Sequence, residues 1–295
     1  MARPPESADS PSFPLPNGSL PKRARERAAI IAEFRAIIYR HFREHPRELP
    51  WRNTRNPYHV VVSEIMLQQT QVERVREKYG EFIAAFPDFP ALARAPLREI
   101  LLRWQGLGYN RRAIALRSIA QRVVEEFDGK LPSSPEVLAT FPGIGSATAA
   151  SIAVFAFSAP SAFIETNIRR VFIHFFFQGR EHVKDREIIP LVEETLDRSD
   201  PRTWYCALMD YGVMLKKTHP NPNRKSAHYR RQAPFAGSNR QLRGLILRAL
   251  TENPALTTPE IVNLVGRERE RVEDNLNRLQ REGFLTLKDG RFSLA

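Results

Sequence analysis

Apolar residues recur three and four positions apart along most of the chain, which predicts a protein built largely from α-helices. Over residues 24–41, for example, the isoleucines and phenylalanines fall on one helical face. Strand patterns are nearly absent before residue 280. Residues 284–294 then read as a hairpin around Asp289–Gly290, a dipeptide typical of tight turns. The predicted fold class is therefore all-α.

Proline, glycine and capping residues divide the helical pattern into segments. Pro96 opens one predicted helix and Gly106–Gly108 ends it, while Ser134 and Pro135 open another. The predicted helices cover residues 24–41, 59–85, 96–105, 111–126, a short stretch from 135, 147–157, 167–177, 185–197, 203–216, 241–252, a stretch from 258, and 268–282.

Changes in composition predict four segments within the 295 residues. Residues 1–23 are rich in proline and serine and are expected to form a disordered tail. Residues 24–216 carry the main helical domain, and residues 217–237 form a basic loop or linker. Residues 238–295 combine three short helices with a hairpin and resemble a winged helix.

The chain is basic, with 45 Lys and Arg against 33 Asp and Glu and a formal net charge of +12. This excess favours a polyanionic partner, although a role in solubility alone stays open. No apolar stretch is long enough for a membrane span, and the N-terminus lacks a signal-peptide core. We therefore expect a cytoplasmic protein. The single cysteine, Cys206, excludes disulfides within the chain and sites with several cysteine ligands.

A Pro-Gly-Ile-Gly turn lies between two helical patterns in Phe141–Thr148, an arrangement suited to grip a phosphate. Gly143 and Gly145 can take positive φ and leave room for the close approach of a DNA backbone. The N–H groups at the start of the next helix, from Ser146 onward, would face the anion with the helix dipole behind them.

Two acidic residues are candidates for chemistry. Apolar residues flank Glu64, so we expect partial burial and the raised pKa of a general acid, with a surface acid as the alternative. Gln68 is expected on the same helix face, with Gln69 beside it. Glu165 lies where a helix begins, where the dipole favours the charged form, and a simple helix cap is the alternative. Two carboxyl groups with opposite environments suit the cleavage of a glycosidic bond.

Taken together, the motifs resemble the helix–hairpin–helix DNA glycosylase superfamily, in particular its MutY-type adenine glycosylases. The resemblance implies a two-lobed helix–hairpin–helix DNA glycosylase fold, here with a small C-terminal winged-helix-like domain. It also implies double-stranded DNA with a mismatched or damaged base as the partner. Five ordered motifs carry it, namely Leu49–Arg52, Ser63–Val72, Trp104–Tyr109, Pro142–Gly145 and Ala207–Gly212.

The resemblance assigns expected roles to individual residues. Glu64 matches the acid that protonates the purine ring and later helps to position water. Gln68 and Gln69 match residues that wedge into the duplex at the flipped base, and Tyr109 matches an aromatic residue that stacks in the opened helix. Extruding a base costs a few kcal/mol, so such fillers are needed. Asn167 matches a polar residue near the sugar.

The chain departs from this family at several positions. Glu165, the expected stabiliser of the cationic sugar, replaces the usual Asp. Ala147 stands where lyase-competent relatives have Lys, so no Schiff base can form there and monofunctional hydrolysis is favoured. No cofactor is required, although the resemblance allows a Na⁺ or K⁺ at the hairpin turn. An iron–sulfur cluster is not expected, because its four cysteine positions register as Lys216, Asn223, Ser226 and Gln232.

The segment after these motifs stays basic. We hypothesise that it keeps a phosphate contact without metal, with a plain solvated charge run as the alternative. The residues expected to contact DNA there are Lys216, Lys217, Arg224 and Lys225.

The resemblance does not extend to the family domain that recognises oxidised guanine, and we expect that domain to be absent. In the winged-helix-like segment that replaces it, arginines and acidic residues alternate along the third helix, so DNA reading and protein docking both stay open. The expected function is a monofunctional DNA glycosylase of base excision repair acting on a mismatched base, adenine first. The alternatives are a glycosylase for mismatched thymine or uracil, or for deaminated or modified bases, and a non-catalytic lesion-binding protein.

Overall fold

The computed structural model describes residues 18–230 and 234–295. The chain divides after Glu48, Ile152 and Arg230 into two compact units. The first unit contains residues 18–48 and 153–230, and the second contains residues 49–152 and 234–295. The described part of the chain is mainly helical, as the sequence predicts.

Short helices joined by turns make up most of these residues. The helices are α1 (Ala24–Glu44), α2 (Pro57–Leu67), α3 (Val72–Ala85), α4 (Phe89–Arg94), α5 (Leu97–Trp104), α6 (Arg111–Glu126), α7 (Pro135–Leu138), α8 (Ser146–Phe157), α9 (Thr166–Phe176), α10 (Asp185–Thr195), α11 (Pro201–Thr218), α12 (Asn239–Glu252), α13 (Thr258–Val265) and α14 (Arg269–Arg281). Two 3-10 turns cover Pro50–Arg52 and Pro222–Lys225, and the strands are β1 (Leu256–Thr257), β2 (Leu285–Lys288) and β3 (Arg291–Leu294).

Aromatic packing forms the core of the first unit, where α1, α9 and α11 meet. Phe34 is fully buried, and its ring lies 5.1–5.7 Å from four others in edge-to-face contacts, the geometry that aromatic pairs prefer. These four neighbours are Phe172, Phe175, Phe176 and Trp204.

A glycine lets α9 and α11 approach closely. A Cβ atom added at Gly212 would lie 2.5 Å from the carbonyl oxygen of Asn167 and 2.7 Å from its Cβ. The Ala207–Gly212 motif therefore has a packing requirement at its last residue, because only glycine fits against the start of α9.

The C-terminal module (residues 238–295) packs within the second unit. Its strands form an antiparallel sheet in the order β1-β3-β2, and Asp289 and Gly290 take φ of 51° and 71° in the hairpin turn. The Arg98 guanidinium on α5 donates to the carbonyl oxygen of Thr251 at the end of α12, at 2.7 and 3.0 Å. The predicted separate domain over 238–295 thus belongs to the same compact unit as residues 49–152.

Several predicted boundaries differ from the structure. The single helix over residues 59–85 is wrong, because α2 and α3 are separated by Gln68–Gln71. The helix α4 and strand β1 have no counterpart among the predictions. Of the predicted tail over residues 1–23, residues 1–17 lie outside the described part. Gly18, by contrast, donates its N–H to the Phe176 carbonyl at 2.8 Å, and Leu20 is buried.

Gly212→Ala is expected to destabilise the protein by about 1–3 kcal/mol, because the new methyl group overlaps α9. The matched control is Gly80→Ala, also inside a helix but with no atom within 4 Å of the added Cβ. This control should stabilise by up to about 1 kcal/mol through helix propensity. Urea unfolding measures both, and equal effects of the two substitutions would contradict the close-packing role of Gly212.

Candidate active site

Glu64 lies on α2, which begins where the Asn56 side chain accepts the N–H of Tyr58 at 2.9 Å. The predicted partial burial is found: Glu64 is half-buried between apolar neighbours. The hydroxyl of Ser151, a buried residue of α8, donates to Glu64 Oε2 at 2.6 Å. This hydrogen bond ties the carboxyl group to the helix that follows the Pro-Gly-Ile-Gly turn.

The glutamine loop (Gln68–Gln71) follows Glu64 directly. Gln68 caps α2 with φ −55° and ψ 112°, and Gln69 has φ 53°, so the chain turns away from the helix axis only after Gln68. The Gln68 amide donates to the Gly143 carbonyl at 3.1 Å and to the Thr148 hydroxyl of α8 at 3.4 Å. Glu64 and Gln68 therefore both contact α8, in agreement with the predicted shared helix face. Gln69 is exposed, as a residue that enters DNA would have to be.

Arg112 explains why α2 ends there, since no residue of the loop is a helix breaker. Its buried guanidinium donates through Nη1 to the carbonyl oxygens of Ile65, Met66 and Gln68 at 2.6–2.9 Å. Ile65 and Met66 belong to the last turn of α2, where a helix leaves its carbonyls without partners, and Gln68 is the capping residue that follows. The negative end of the helix dipole also favours a cation at this position.

The same guanidinium also holds the tyrosine loop (Gln105–Asn110). Its Nη2 donates to the carbonyls of Leu107 and Gly108 at 3.1 and 2.9 Å, and to the Thr70 hydroxyl at 2.9 Å. Burial lowers the pKa of Arg112 to about 10, which leaves the guanidinium charged at neutral pH. Arg112 therefore connects the loop that carries the predicted wedge residues Gln68 and Gln69 with the loop that carries the predicted stacking residue Tyr109.

Sequence reasoning missed Arg112, although a signal was present. Arg112 stands four positions before Leu116 and seven before Ile119, both fully buried on α6. An arginine in register with the apolar face of a helix must find partners inside the protein.

Tyr109 sits at the end of the tyrosine loop with φ 47°. The guanidinium carbons of Arg112 and Arg240 each lie 5.5 Å from its ring centroid, and Arg240 Nη1 donates to the Tyr109 hydroxyl at 2.8 Å. Gln69 and Tyr109 are thus both left-handed non-glycine residues, a costly conformation that tends to occur at functional sites.

The Pro-Gly-Ile-Gly turn has part of the expected geometry. Gly143 has φ 76°, but Gly145 is not in the left-handed region, so the expectation of positive φ there is wrong. A Cβ at Gly145 would meet no atom within 4 Å, which leaves open space before the first turn of α8. Ser146 is exposed as the first residue of α8, whose N-terminus favours an anion.

Glu165 belongs to the first unit and caps α9. One carboxyl oxygen accepts the N–H groups of Asn167 and Ile168 at 2.7 and 2.8 Å. Burial raises the pKa of Glu165, and this effect is larger than the opposing effect of the two N–H hydrogen bonds, which lower the pKa. The helix start therefore stabilises the ionised form as expected, but desolvation outweighs it.

Asn167 orients Glu165 through a hydrogen-bond network that includes the buried Arg170. Its amide Nδ2 lies 3.2 Å from Glu165 Oε2, and its Oδ1 accepts from Arg170 at 2.7 Å. Arg170 is buried and also donates to the Gly212 carbonyl at 2.6 Å and to the Asn221 amide oxygen at 3.1 Å. Both polar atoms of the Asn167 side chain are therefore engaged in holding its neighbours.

The turn at residues 221–226 occupies the region where the resemblance would place an iron–sulfur cluster. Asn223 is buried and donates to the Thr166 carbonyl at 2.9 Å, while Ser226 is buried in a bridge with Val183. One cysteine cannot supply four thiolates, so these residues do not fit an iron–sulfur cluster. Gln232, the fourth registered position, lies outside the described residues.

The basic residues of this region divide into two groups. Lys216, Lys217 and Arg224 are exposed, as a DNA contact would require. Lys225 instead donates to the Gln178 carbonyl at 2.6 Å, so its ammonium group is already engaged in a hydrogen bond within the protein. Its predicted DNA contact finds no support in this geometry.

Neither a membrane span nor a metal-binding cluster occurs among the described residues. Over residues 18–230 and 234–295, no helix combines the length and apolar character needed to cross a bilayer. The same ranges contain no group of three or more His, Cys, Asp or Glu side chains able to hold a metal ion. The Na⁺ or K⁺ at the hairpin turn stays a prediction.

Comparison with known proteins places these features in a family. Residues 62–192 match the model of the HhH-GPD superfamily of base excision DNA repair proteins. An adenine DNA glycosylase of Mycolicibacterium smegmatis is 32% identical over 271 residues, which cover 84% of this chain and 92% of that protein. An adenine DNA glycosylase of Buchnera aphidicola is 36% identical over 190 residues, which cover 63% of this chain but only 53% of the relative.

The fold is also found among solved structures. A thermostable thymine-DNA glycosylase superposes with a TM-score of 0.59 at 24% identity, covering 66% of this chain and 91% of that one. The predicted helix–hairpin–helix fold class is thereby confirmed.

Arg112→Lys should destabilise the protein by about 3 kcal/mol, because lysine cannot reach both loops and leaves buried carbonyls without donors. The control is Arg103→Lys, an exposed position near the same loop, which should stay within about 0.5 kcal/mol. Urea unfolding gives the free energies, and amide hydrogen exchange should show faster exchange in both loops of Arg112→Lys. Unchanged exchange there would contradict the connecting role.

Proposed function

The chain belongs to the HhH-GPD superfamily of base excision DNA repair proteins, and from this membership we propose that it is a monofunctional DNA glycosylase. Its substrate is double-stranded DNA with a mismatched base, adenine first. The names of the relatives support adenine, and the hydrogen bond between Ser151 and Glu64 supports the chemistry.

Glu64 acts as the general acid in this proposal. Proton transfer to the departing base neutralises the negative charge that builds on it as the glycosidic bond breaks. A carboxyl group does this well only when it is held in one orientation, and the 2.6 Å bond from Ser151 restrains one of its oxygens. The adjacent glutamine loop would keep the extruded base from returning to the stack.

Glu165 stabilises the positive charge that develops on the sugar. Its carboxyl group is held by two backbone N–H groups and by Asn167, so little reorganisation is needed when that charge appears. The longer side chain of glutamate, relative to the usual aspartate of the family, still reaches both N–H groups. Asn167 is a positioning residue because its contacts are to Glu165 and Arg170.

The monofunctional assignment rests on Ala147, the second residue of α8. Its methyl group offers no amine to attack the sugar, so water is the nucleophile and the product is an abasic site. The exposed Lys216, Lys217 and Arg224 are assigned to phosphate contacts, together with Gly143, Gly145 and Ser146 at the turn.

Glu64→Gln should lower the rate of base release by about 10²–10⁴-fold, because the amide cannot donate a proton to the leaving base. The measurement is single-turnover release from duplexes that pair adenine, thymine, uracil or hypoxanthine with guanine or oxidised guanine, and strands should break only after alkali. Glu99→Gln, an exposed acid on α5, is the control and should match the wild type.

Three other results would be decisive. Release of thymine or uracil but not adenine would make the enzyme a glycosylase for mismatched thymine or uracil. Tight duplex binding that survives Glu64→Gln, with no release of any base by the wild type, would make the chain a lesion-binding protein. Strand cleavage without alkali would contradict the assignment of Ala147.

Glu165→Gln should lower the rate about 100-fold while the protein stays folded, because the amide oxygen can still cap α9. Since burial raises the pKa of Glu165, the ionised form is lost as pH falls through a value above the ordinary 4.5. The wild-type rate should therefore fall on the acid side above pH 4.5, and Glu165→Gln should lack this limb. Glu165→Asp should retain most activity. An unchanged acid limb in Glu165→Gln would contradict the role.

A further inference from the structure

The C-terminal module contributes one wall of a cavity of 380 Å³ beside the glutamine and tyrosine loops. Gln69 and Tyr109 line it from the loops, and Arg240 and Arg243 line it from the first two turns of α12. The cavity lies wholly within the second unit.

The charge of this cavity is strongly positive. Four arginines and one glutamate line it, which leaves a net charge of +3 on its walls. Guanidinium groups are planar donors without acceptor capacity, so the cavity suits a ligand rich in acceptor oxygens, and phosphate is the group that arginine binds best.

Glu282, at the end of α14, organises two of these arginines. Its carboxylate accepts from Arg111 on α6 at 2.8 Å and from Arg243 on α12 at 2.5 and 3.0 Å. One carboxylate thus holds two like charges at a fixed spacing, although they would otherwise repel each other. The Arg111 side chain remains 72% exposed, so the pair still faces solvent.

Arg240 connects the cavity to Tyr109. It donates to the Tyr109 hydroxyl at 2.8 Å and stacks over the ring at 5.5 Å, so it restrains the side chain expected to enter the opened duplex. Arg240 belongs to the C-terminal module, whereas Tyr109 belongs to the tyrosine loop.

The arginines of α14 contrast with those of α12. Arg269 pairs with Glu273 and Arg278 pairs with Asp274, each one turn along the same helix. Each of these two pairs is neutral, whereas Arg111 and Arg243 share the single carboxylate of Glu282 and keep a net charge of +1. Arg269 and Arg278 are therefore weaker candidates for DNA contact than the arginines of the cavity.

We propose that Arg240 and Arg243 of the C-terminal module form, with Arg111, a phosphate-binding site that grips the DNA backbone next to the wedge residues, and that Arg240 positions Tyr109. This inference rests on the proposed function for the location of the DNA. In this proposal the C-terminal module contacts DNA through α12, whose arginines line the cavity.

The test compares Arg240→Ala/Arg243→Ala with the control Arg269→Ala/Arg278→Ala, which removes the same charge from α14. Binding to a duplex carrying a stable abasic-site analogue is measured at several salt concentrations. Each phosphate contact contributes about 0.9 to the slope of log K against log salt, so the α12 variant should lose about 1.8 and the control none. Arg240→Lys/Arg243→Lys keeps the charge and should retain most of the slope, even if the alanine variant folds poorly.

The positioning role has a separate readout. A fluorescent adenine analogue next to the lesion brightens when the stack is opened, and Arg240→Ala and Tyr109→Phe should each reduce that change. Because both remove the same hydrogen bond, the double variant should be no worse than the more severe single variant. Additive losses would overturn the positioning role.

The outcomes separate this inference from the proposed function. If the wild type releases bases and the α12 variant keeps the full salt slope, the phosphate site is wrong and the glycosylase stands. If the wild type releases no base but the α12 variant loses slope, the site stands and the enzyme assignment fails. A loss confined to duplexes with guanine opposite the lesion would overturn the phosphate site in favour of base recognition.

Discussion

The guanidinium of Arg112 is the interaction on which the geometry of the second unit depends. It satisfies carbonyl oxygens at the end of α2 and in the tyrosine loop, and so joins two segments that lie about forty residues apart in the chain. Its partners are main-chain carbonyls and one threonine hydroxyl, so its orientation follows from the backbone itself. A buried cation is costly without partners, and the hydrogen bonds that satisfy this one restrain the backbone of both loops. Such restraints can hold Gln69 and Tyr109 in left-handed conformations that an isolated peptide would avoid.

A second buried arginine has a parallel role in the first unit. Arg170 binds the Gly212 carbonyl and the side chains of Asn167 and Asn221, and through Asn167 it restrains Glu165. The turn at 221–226 takes part in the same network, in the region where the family carries an iron–sulfur cluster. Asn223 donates to the Thr166 carbonyl of α9, and Arg170 of α9 donates to the Asn221 side chain, so hydrogen bonds fix this segment in place of an iron–sulfur cluster. The consequence for function is that the environment of Glu165 depends on packing between α9 and the residues that follow α11.

Much of the architecture could be predicted from local patterns. Helix α6 begins and ends at the predicted residues 111 and 126. Ser134 and Pro135 open α7 as predicted, and the hairpin turns at Asp289–Gly290 as predicted. These predictions are correct because capping and turn residues act within a few positions. The break between α2 and α3 could not be predicted in this way. No residue of the Gln-Gln-Thr-Gln segment disfavours a helix strongly, and the partner that ends α2 stands more than forty positions away. The groups that Arg112 and Arg240 bind are also remote in the chain, since Gln68 is 44 residues from Arg112 and Tyr109 is 131 residues from Arg240. The position of Arg112 on an apolar helix face indicates burial, but it does not indicate these partners.

The sequence by itself determined the helical class, the order of the motifs and the two candidate acids, since these follow from residue type and spacing along the chain. It also excluded a cluster of four thiolates, because composition alone decides that. Only the tertiary structure decided which polar groups are buried and what they bind. In the structure, Ser151 donates to Glu64, Arg240 donates to Tyr109, and Lys225 donates to a main-chain carbonyl. Helix α12 lies beside Gln69 and Tyr109. Hydrogen-bond partners of buried charges are set by distances between segments remote in sequence, and such distances have no local signature.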